Sequence, residues 1–395
     1  MPTTRPGLEL NDDGICNACH WQVKKRSIDW KAREAELKEI AAWARSKSRT
    51  QWHCVLGVSG GKDSTWQAMY CRDVLNLNPL LVQYAASDGT DLGRRNLENL
   101  VELGFDLISL QPNASVARRL AKRSFYEYGN IVKYSEYALF ATPFRTAMLY
   151  DVPLVFFGEN PALEAGDTNA SIHGWDATSI INNNTLRGSS TDIWVDDVVR
   201  HKDLIPYRFP TPDDLEQWGG RGIFMGFYAP WSGHQNGVYA IQNGLKCHDS
   251  SPEDLGNIYG HTALDCDNTI VNAMLKHIKL GFGSTTEFAC YDIRNQRITR
   301  EEGIALVRDF DGRCADRFIE GFCRWIDISV EEFWRVANSY RGSMWEKNAD
   351  GAWVLKNPIW KQNPPSSNLN LESLIERLDT RRWAEESNPV PVGRI

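Results

Sequence analysis

Residues 53–70 read HCVLGVSGGKDSTWQAMY, and the fold turns on how the glycine pair inside them is read. The apolar run His53–Val58 has the composition of a buried strand, and Trp66, Met69, Tyr70 and Val74 recur at the spacing of one helix face. A strand that turns through glycines into a helix aims unpaired backbone N–H groups at whatever lies over the helix start, so an anion is favoured there. Gly60 and Gly61 let the main chain approach a phosphate with no Cβ in the way. Lys62 adds a point charge, and Ser59 and Ser64 add hydroxyl donors. Asp63 would repel a phosphate unless a cation, most naturally magnesium, lay between them. The common nucleotide loop, G-x-x-x-x-G-K-[ST], does not fit. Three residues separate Gly57 from Gly61, and Asp63 stands where a metal-holding hydroxyl would be.

Around this unit strands and helices alternate. A lead-in helix is predicted over 28–45, with Trp30, Leu37, Ile40 and Ala44 on one face. PLLVQYAA, FDLISLQP and VPLVFFGEN read as further strands, GRRNLENLVELG as a helix ended by Gly104, and 114–128 and 135–150 as helices. GIFMGFYAPW reads as a fifth strand. The rhythm implies an α/β fold with a five-stranded parallel sheet and helices on both faces, followed by a mostly helical region with segments near 268–280, 300–310 and 316–340. We divide the chain into 1–48, 49–230 with a polar insert at 161–200, and 231–395, the last 50 residues reading as an irregular tail. Thr299, followed three residues on by Glu302, has the form of a capping box.

The 395 residues carry a net charge of −7 with no basic block, which speaks against nucleic acid as a partner. The opening MPTTRPGLELNDDG lacks the regions of a secretory signal, and no apolar run approaches the roughly 20 residues of a membrane span, so a cytoplasmic location is expected. Nine cysteines then imply thiols or a metal site rather than disulfides. Cys16 and Cys19, spaced C-x-x-C before a helix, are half of a tetrahedral zinc site.

SGGKDS, following a strand and opening a helix, resembles the loop of the PP-loop ATP pyrophosphatases. That resemblance implies ATP across the carboxyl edge of the sheet, release of AMP and pyrophosphate, Lys62 and Asp63 as catalytic residues, and Val58, Ser59, Gly60, Gly61, Ser64 and Gly158 as further ATP contacts. GICNACHW with IDWKAREAEL, LFATPFRTAMLYDVPLVFFGENPALEAGD and YDIRNQRITREEGIALVRDFDGRC resemble the N-acetyl sugar amidotransferases, the pseudaminic acid (PseA) branch more than the WbpG branch. The implied reaction turns an acetamido group of a nucleotide-activated sugar into an acetamidino group. Ammonia would come from a separate glutaminase and a cyclase-like barrel. Members of that family usually carry a second C-x-x-C upstream of the segment corresponding to MPTTRPG, and an arginine where this chain has Ser284.

FFGEN ends the fourth predicted strand, where ligands of open α/β sheets bind, so Glu159 and Asn160 are placed to meet nucleotide or substrate. Glu159 alternatively caps the next helix. Arg145 pairs with a substrate carboxylate or with a surface acid, and Glu164 and Asp167 bind metal or amine or are solvated. Cys247–His248 is a neighbouring Cys–His pair, too little for a glutaminase triad. Two other functions compete. A PP-loop tRNA-modifying enzyme would want reactive cysteines near the loop, such as Cys54 or Cys71, and a non-catalytic nucleotide binder would keep the fold without turnover.

Overall fold

Alternation along the strands divides the interior into two cores. The computed structural model describes residues 1–86, 88–161, 164, 175–182, 186–390 and 392. In chain order it contains α1 (Asn17–Lys25), α2 (Trp30–Lys47), β1 (Cys54–Gly57), α3 (Lys62–Asp73), β2 (Pro79–Tyr84), α4 (Asp91–Glu102) and β3 (Asp106–Leu110). These are followed by α5 (Ala114–Tyr128), α6 (Lys133–Leu149), β4 (Leu154–Phe157) and β5 (Arg221–Phe224). Val55, Leu80, Val82 and Val155 point into a core with Leu120 and Phe125 of α5 and Phe144 of α6. Cys54, Leu56, Leu81 and Phe156 point the other way, against Leu37 of α2, Trp66 of α3 and Leu100 of α4. The sheet is therefore covered on both faces, as near-continuous apolar strands require.

All four strand pairings are parallel, and the order is β3-β2-β1-β4-β5. The five-stranded parallel sheet expected from the sequence is present. α6 carries Pro143 in its interior, and the ring packs on the end of β1, where a Cβ on Gly57 would come within 3.1 Å of Pro143 Cγ.

Several local expectations need correction. The fifth strand stops at Phe224, and Met225–Tyr228 forms a helical turn. The Gly226 N–H donates to Gly158 O at 3.0 Å, and a Cβ there would lie 3.0 Å from Asn160 N, so the chain turns where it meets the end of β4. The stretch 316–340 is two helices, Asp316–Ile326 and Val330–Ser339. Asp327 takes a φ of 56° between them, and Ser329 caps the second through Glu332 N. Helices Gly233–Gln242 and Ser284–Arg294 were not anticipated. The tail holds a short antiparallel pair, Trp345–Lys347 with Trp353–Leu355, and helices Leu371–Leu378 and Thr380–Glu386. Leu374 and Leu378 are buried against Leu306 and Phe310, so this segment belongs to the packed structure. Of the polar insert, the described parts include two short 3-10 turns, Ala177–Asn182 and Thr191–Trp194, and Trp194 is fully buried between Tyr128 and Tyr137.

The C-terminal region joins the sheet through polar contacts to α4. Asn96, 1% exposed, donates to Lys246 O at 3.0 Å and accepts from Lys246 N at 2.8 Å. The Thr90 N–H donates to Asp265 O at 3.0 Å, and Gly93 permits the approach, since a Cβ on it would meet Asp265 Cα at 2.6 Å. The capping box at Thr299 and Glu302 is reciprocal, as its spacing predicts. Among the described residues no helix is long and apolar enough to cross a membrane.

Candidate functional site

In the order β3-β2-β1-β4-β5 the connections run outward from β1 on one side and return through β4 on the other, which opens a crevice at the carboxyl ends of β1 and β4. A cavity of about 470 Å³ occupies it. Its floor is the turn out of β1 and the first turn of α3, and one side is Phe157, Gly158 and Glu159 at the end of β4. Leu139, Phe140 and Pro143 of α6, with Ile180 and Phe224, make an apolar wall, and His261–Asp265 close the remaining side.

The loop between β1 and α3 is tightly constrained. Gly60 has a φ of +78°, and a Cβ there would lie 2.8 Å from Gly93 O and 3.2 Å from Asn96 Cβ, so glycine is required by conformation and by space. Gly61 caps α3 in an extended conformation. The N–H groups from Ser59 to Ser64 make no hydrogen bond to any described residue. They are the orphan donors of a helix start, and the positive end of the helix dipole adds to them. The Ser64 and Thr65 hydroxyls donate to Gly61 O, each at 3.0 Å, which stiffens the turn.

Charge at the site is arranged in opposed pairs. Lys62 pairs with Asp63, whose other oxygen accepts from Asn236 Nδ2 at 2.9 Å. Asn236 is wholly buried on the helix Gly233–Gln242, and its own Oδ1 has no partner among the described residues. Glu159 faces the cavity, so solvent reaches it, yet protein surrounds it; burial and then the charge of Asp63 push its carboxyl up, against the pull of Lys62. Glu164 is also pushed up by burial and is countered by Lys25 of α1, which ion-pairs with it and donates to Trp231 O at 3.2 Å. A lysine at the start of a helix is an unfavourable place for a cation unless an anion joins it.

Of the residues singled out from the sequence, Val58, Ser59, Gly61, Lys62, Asp63, Ser64, Gly158, Glu159 and Glu164 line this one cavity. Gly60 supports it from behind, and Asn160, 1% exposed, lies beneath the wall rather than on it. Arg145 must be corrected: it is exposed, on the part of α6 that faces Asp214, and is not on the cavity wall. Ser284 opens the helix Ser284–Arg294, away from the lining, and Asp167 lies outside the described residues.

Cys16 and Cys19 sit half-buried at the start of α1. Burial pushes the Cys16 thiol up, but hydrogen bonds from Cys19 outweigh it and bring it below its ordinary value, while burial and Cys16 raise Cys19. Among the described residues no group of three or more His, Cys, Asp or Glu side chains is arranged to hold a metal ion. Cys54 and Cys71 are buried, and burial holds the Cys71 thiol well above its usual range. Burial pushes the Cys247 thiol up to about 11, and His248 Nε2 is engaged by Ala263 O at 3.0 Å, so the neighbouring pair is no nucleophile and base.

Sequence reasoning missed Lys25, Gln67, Asn236, His261 and Asp265. Gln67 was legible, one helical turn beyond Asp63, and it donates to Asp63 O at 3.3 Å. The others reach the site from elements whose placement no local pattern reveals. Asp265 is raised to about 6 by burial and by the neighbouring Asp88.

Residues 258–359 match the model of the family described as LPS biosynthesis protein WbpG-like, C-terminal domain. That segment is similar to a WbpG-like domain. The match spans about a quarter of the chain, and no curated protein matches it. The matched segment begins just before the wall His261–Asp265, so it supplies that side of the cavity, across from the loop.

Proposed function

We propose that the chain is an ATP-dependent amidotransferase of the PP-loop type, converting an acetamido group of a nucleotide-activated sugar to an acetamidino group with release of AMP and pyrophosphate. The observation that carries this reading is the seat of free backbone amides at Ser59–Ser64, set in a cavity whose far wall is WbpG-like. ATP fits the donor set: amides and Lys62 for the two outer phosphoryl groups, and the apolar wall for a flat ring. Magnesium fits as well, because Asp63 and Glu159 repel each other and a cation between them and the phosphates relieves both. When bound, it neutralises charge developing on departing pyrophosphate. The chain's own part is to orient the phosphates and exclude water. Adenylation turns a poor leaving group, the amide oxygen, into a good one, and ammonia then displaces AMP.

The WbpG-like match favours a diacetamido uronic acid carried on UDP, in lipopolysaccharide assembly, over the pseudaminic-type acid that the sequence resemblance points to. Ammonia is supplied by separate glutaminase and cyclase-like subunits, in keeping with the raised Cys247 thiol. A tRNA thiolation role has less support, since the cysteines nearest the loop, Cys54 and Cys71, are both buried. The test is incubation with magnesium-ATP, an ammonium salt and each of the two sugar classes. The expected result is sugar-dependent AMP and a product one mass unit lighter, as replacement of O by NH requires, both lost in Lys62→Ala. ADP in place of AMP, or turnover in Lys62→Ala, overturns the reading.

A further inference from the structure

The proposed reaction leaves one proton transfer that neither the loop nor a metal performs. When ammonia bonds to the adenylated imidate carbon, the C–O bond to AMP breaks and its electron pair leaves with AMP. The nitrogen must then shed a proton. We infer that His261 accepts it, so that the WbpG-like region supplies the base for the second half of the reaction; the inference rests on the amidotransferase reading above.

The geometry is that of a prepared acceptor. His261 lines the cavity across from the loop while only 5% of its surface is exposed. No hydrogen bond joins either ring nitrogen to another described residue, which leaves an acceptor lone pair for a ligand in the cavity. The ring is nevertheless fixed. It lies tilted on Tyr259 with centroids 5.2 Å apart, and the Tyr259 hydroxyl donates to Asp292, which is held by Arg297 at 3.0 Å. Behind it, Gly237 leaves just enough room: a Cβ there would stand 3.4 Å from His261 Cε1. Burial, and then the charges of Lys62, His234 and Arg297, keep the imidazole unprotonated before the transfer.

The alternatives in the cavity are committed elsewhere. Asp63 is held by Lys62 and Asn236, and Glu164 by Lys25. Glu159 faces Asp63 and the proposed cation, and Asp265 faces Asp88.

The experiment separates the two half-reactions in the full-length chain. His261→Gln and His261→Ala, each checked for native circular dichroism, are mixed with magnesium-ATP and whichever of the UDP-linked diacetamido uronic acid or the nucleotide-activated diacetamido nonulosonic acid the wild type uses. Without ammonium, the single-turnover burst of pyrophosphate is expected within about twofold of wild type. On adding ammonium chloride, amidine formation is expected to fall at least about 100-fold, the usual scale for a lost general base. Added imidazole should restore part of it in His261→Ala. Amidine formation at the wild-type rate overturns the inference. So does a parallel loss of burst and amidine formation, which would make His261 a residue that positions nucleotide. Absence of a burst in the wild type with both sugars overturns the amidotransferase reading, and the inference with it.

Discussion

Gly60 and Gly61 are adjacent, yet the structure predicts opposite consequences for the same methyl group. Gly60→Ala places an L residue at a φ of +78° and drives its Cβ to 2.8 Å from Gly93 O, an α4 backbone atom that cannot rotate away. The left-handed conformation costs about 1–2 kcal/mol and the overpacking about 1–3 more, so a loss of roughly 2–5 kcal/mol is expected. Gly61 has a φ of −92°, and a Cβ there meets only Ser59 Oγ at 3.5 Å. Its replacement should cost the fold less than about 1 kcal/mol. The methyl would stand among the free amides, however, and a tenfold or larger drop in ATP affinity, about 1.4 kcal/mol, is expected. Urea unfolding of both variants, with calorimetric titration of magnesium-ATP, reads the two effects separately. If Gly60→Ala unfolds at the wild-type midpoint, or Gly61→Ala binds nucleotide as the wild type does, the reading of this loop is wrong.

Three further outcomes follow from the charges. Lys25→Met should destabilise by about 3 kcal/mol in urea, because it strands the Glu164 side chain, only 11% exposed, without its cation; adding Glu164→Gln should recover most of the loss, and no loss in the single variant would mean that the pair does not form. The Asp265 carboxyl, at about 6, keeps its proton between pH 4 and 6 where the unfolded chain has released it, so stability falls as pH rises through that window. Asp265→Asn should therefore raise stability by ~1–2 kcal/mol at pH 8, the value discounted for solvent in the cavity, with a gain that shrinks toward pH 4; a gain independent of pH would refute the assignment. Arg145→Ala should shift stability by under about 0.5 kcal/mol and leave kcat/KM within twofold, and a tenfold rise in sugar KM would return Arg145 to the site.

The comparison of sequence with structure follows the range of the forces involved. The unit β1–α3 was readable because strand pattern, glycine turn and amphipathic helix are each set by neighbours within one or two turns. α5 was read at its observed bounds, Ala114–Tyr128, for the same reason: Asn113 caps it and Gly129 ends it in the left-handed conformation. β5 was read too long because Met225–Tyr228 is as apolar as a strand, and only its collision with the end of β4 turns it. The break at Asp327 was hidden by apolar spacing that continues across it, although Ser329 and Glu332 carried the capping signal. Arg145 was misplaced because α6 is apolar on nearly every side, so its pattern does not say which narrow strip meets solvent.

The chain order of strands and helices, the parallel sheet, the anion-seeking loop and the carboxylate at the end of β4 were present in the residues themselves, since hydrogen-bonding periodicity and glycine conformation act over a few positions. Which distant groups would stand over that loop was decided only on folding. Lys25 comes from the N-terminal helix, Asn236 from a helix beyond the sheet, and His261 and Asp265 from the WbpG-like region. Each is drawn in by burial of apolar faces whose partners lie far along the chain, and burial has no direction that a local pattern can record.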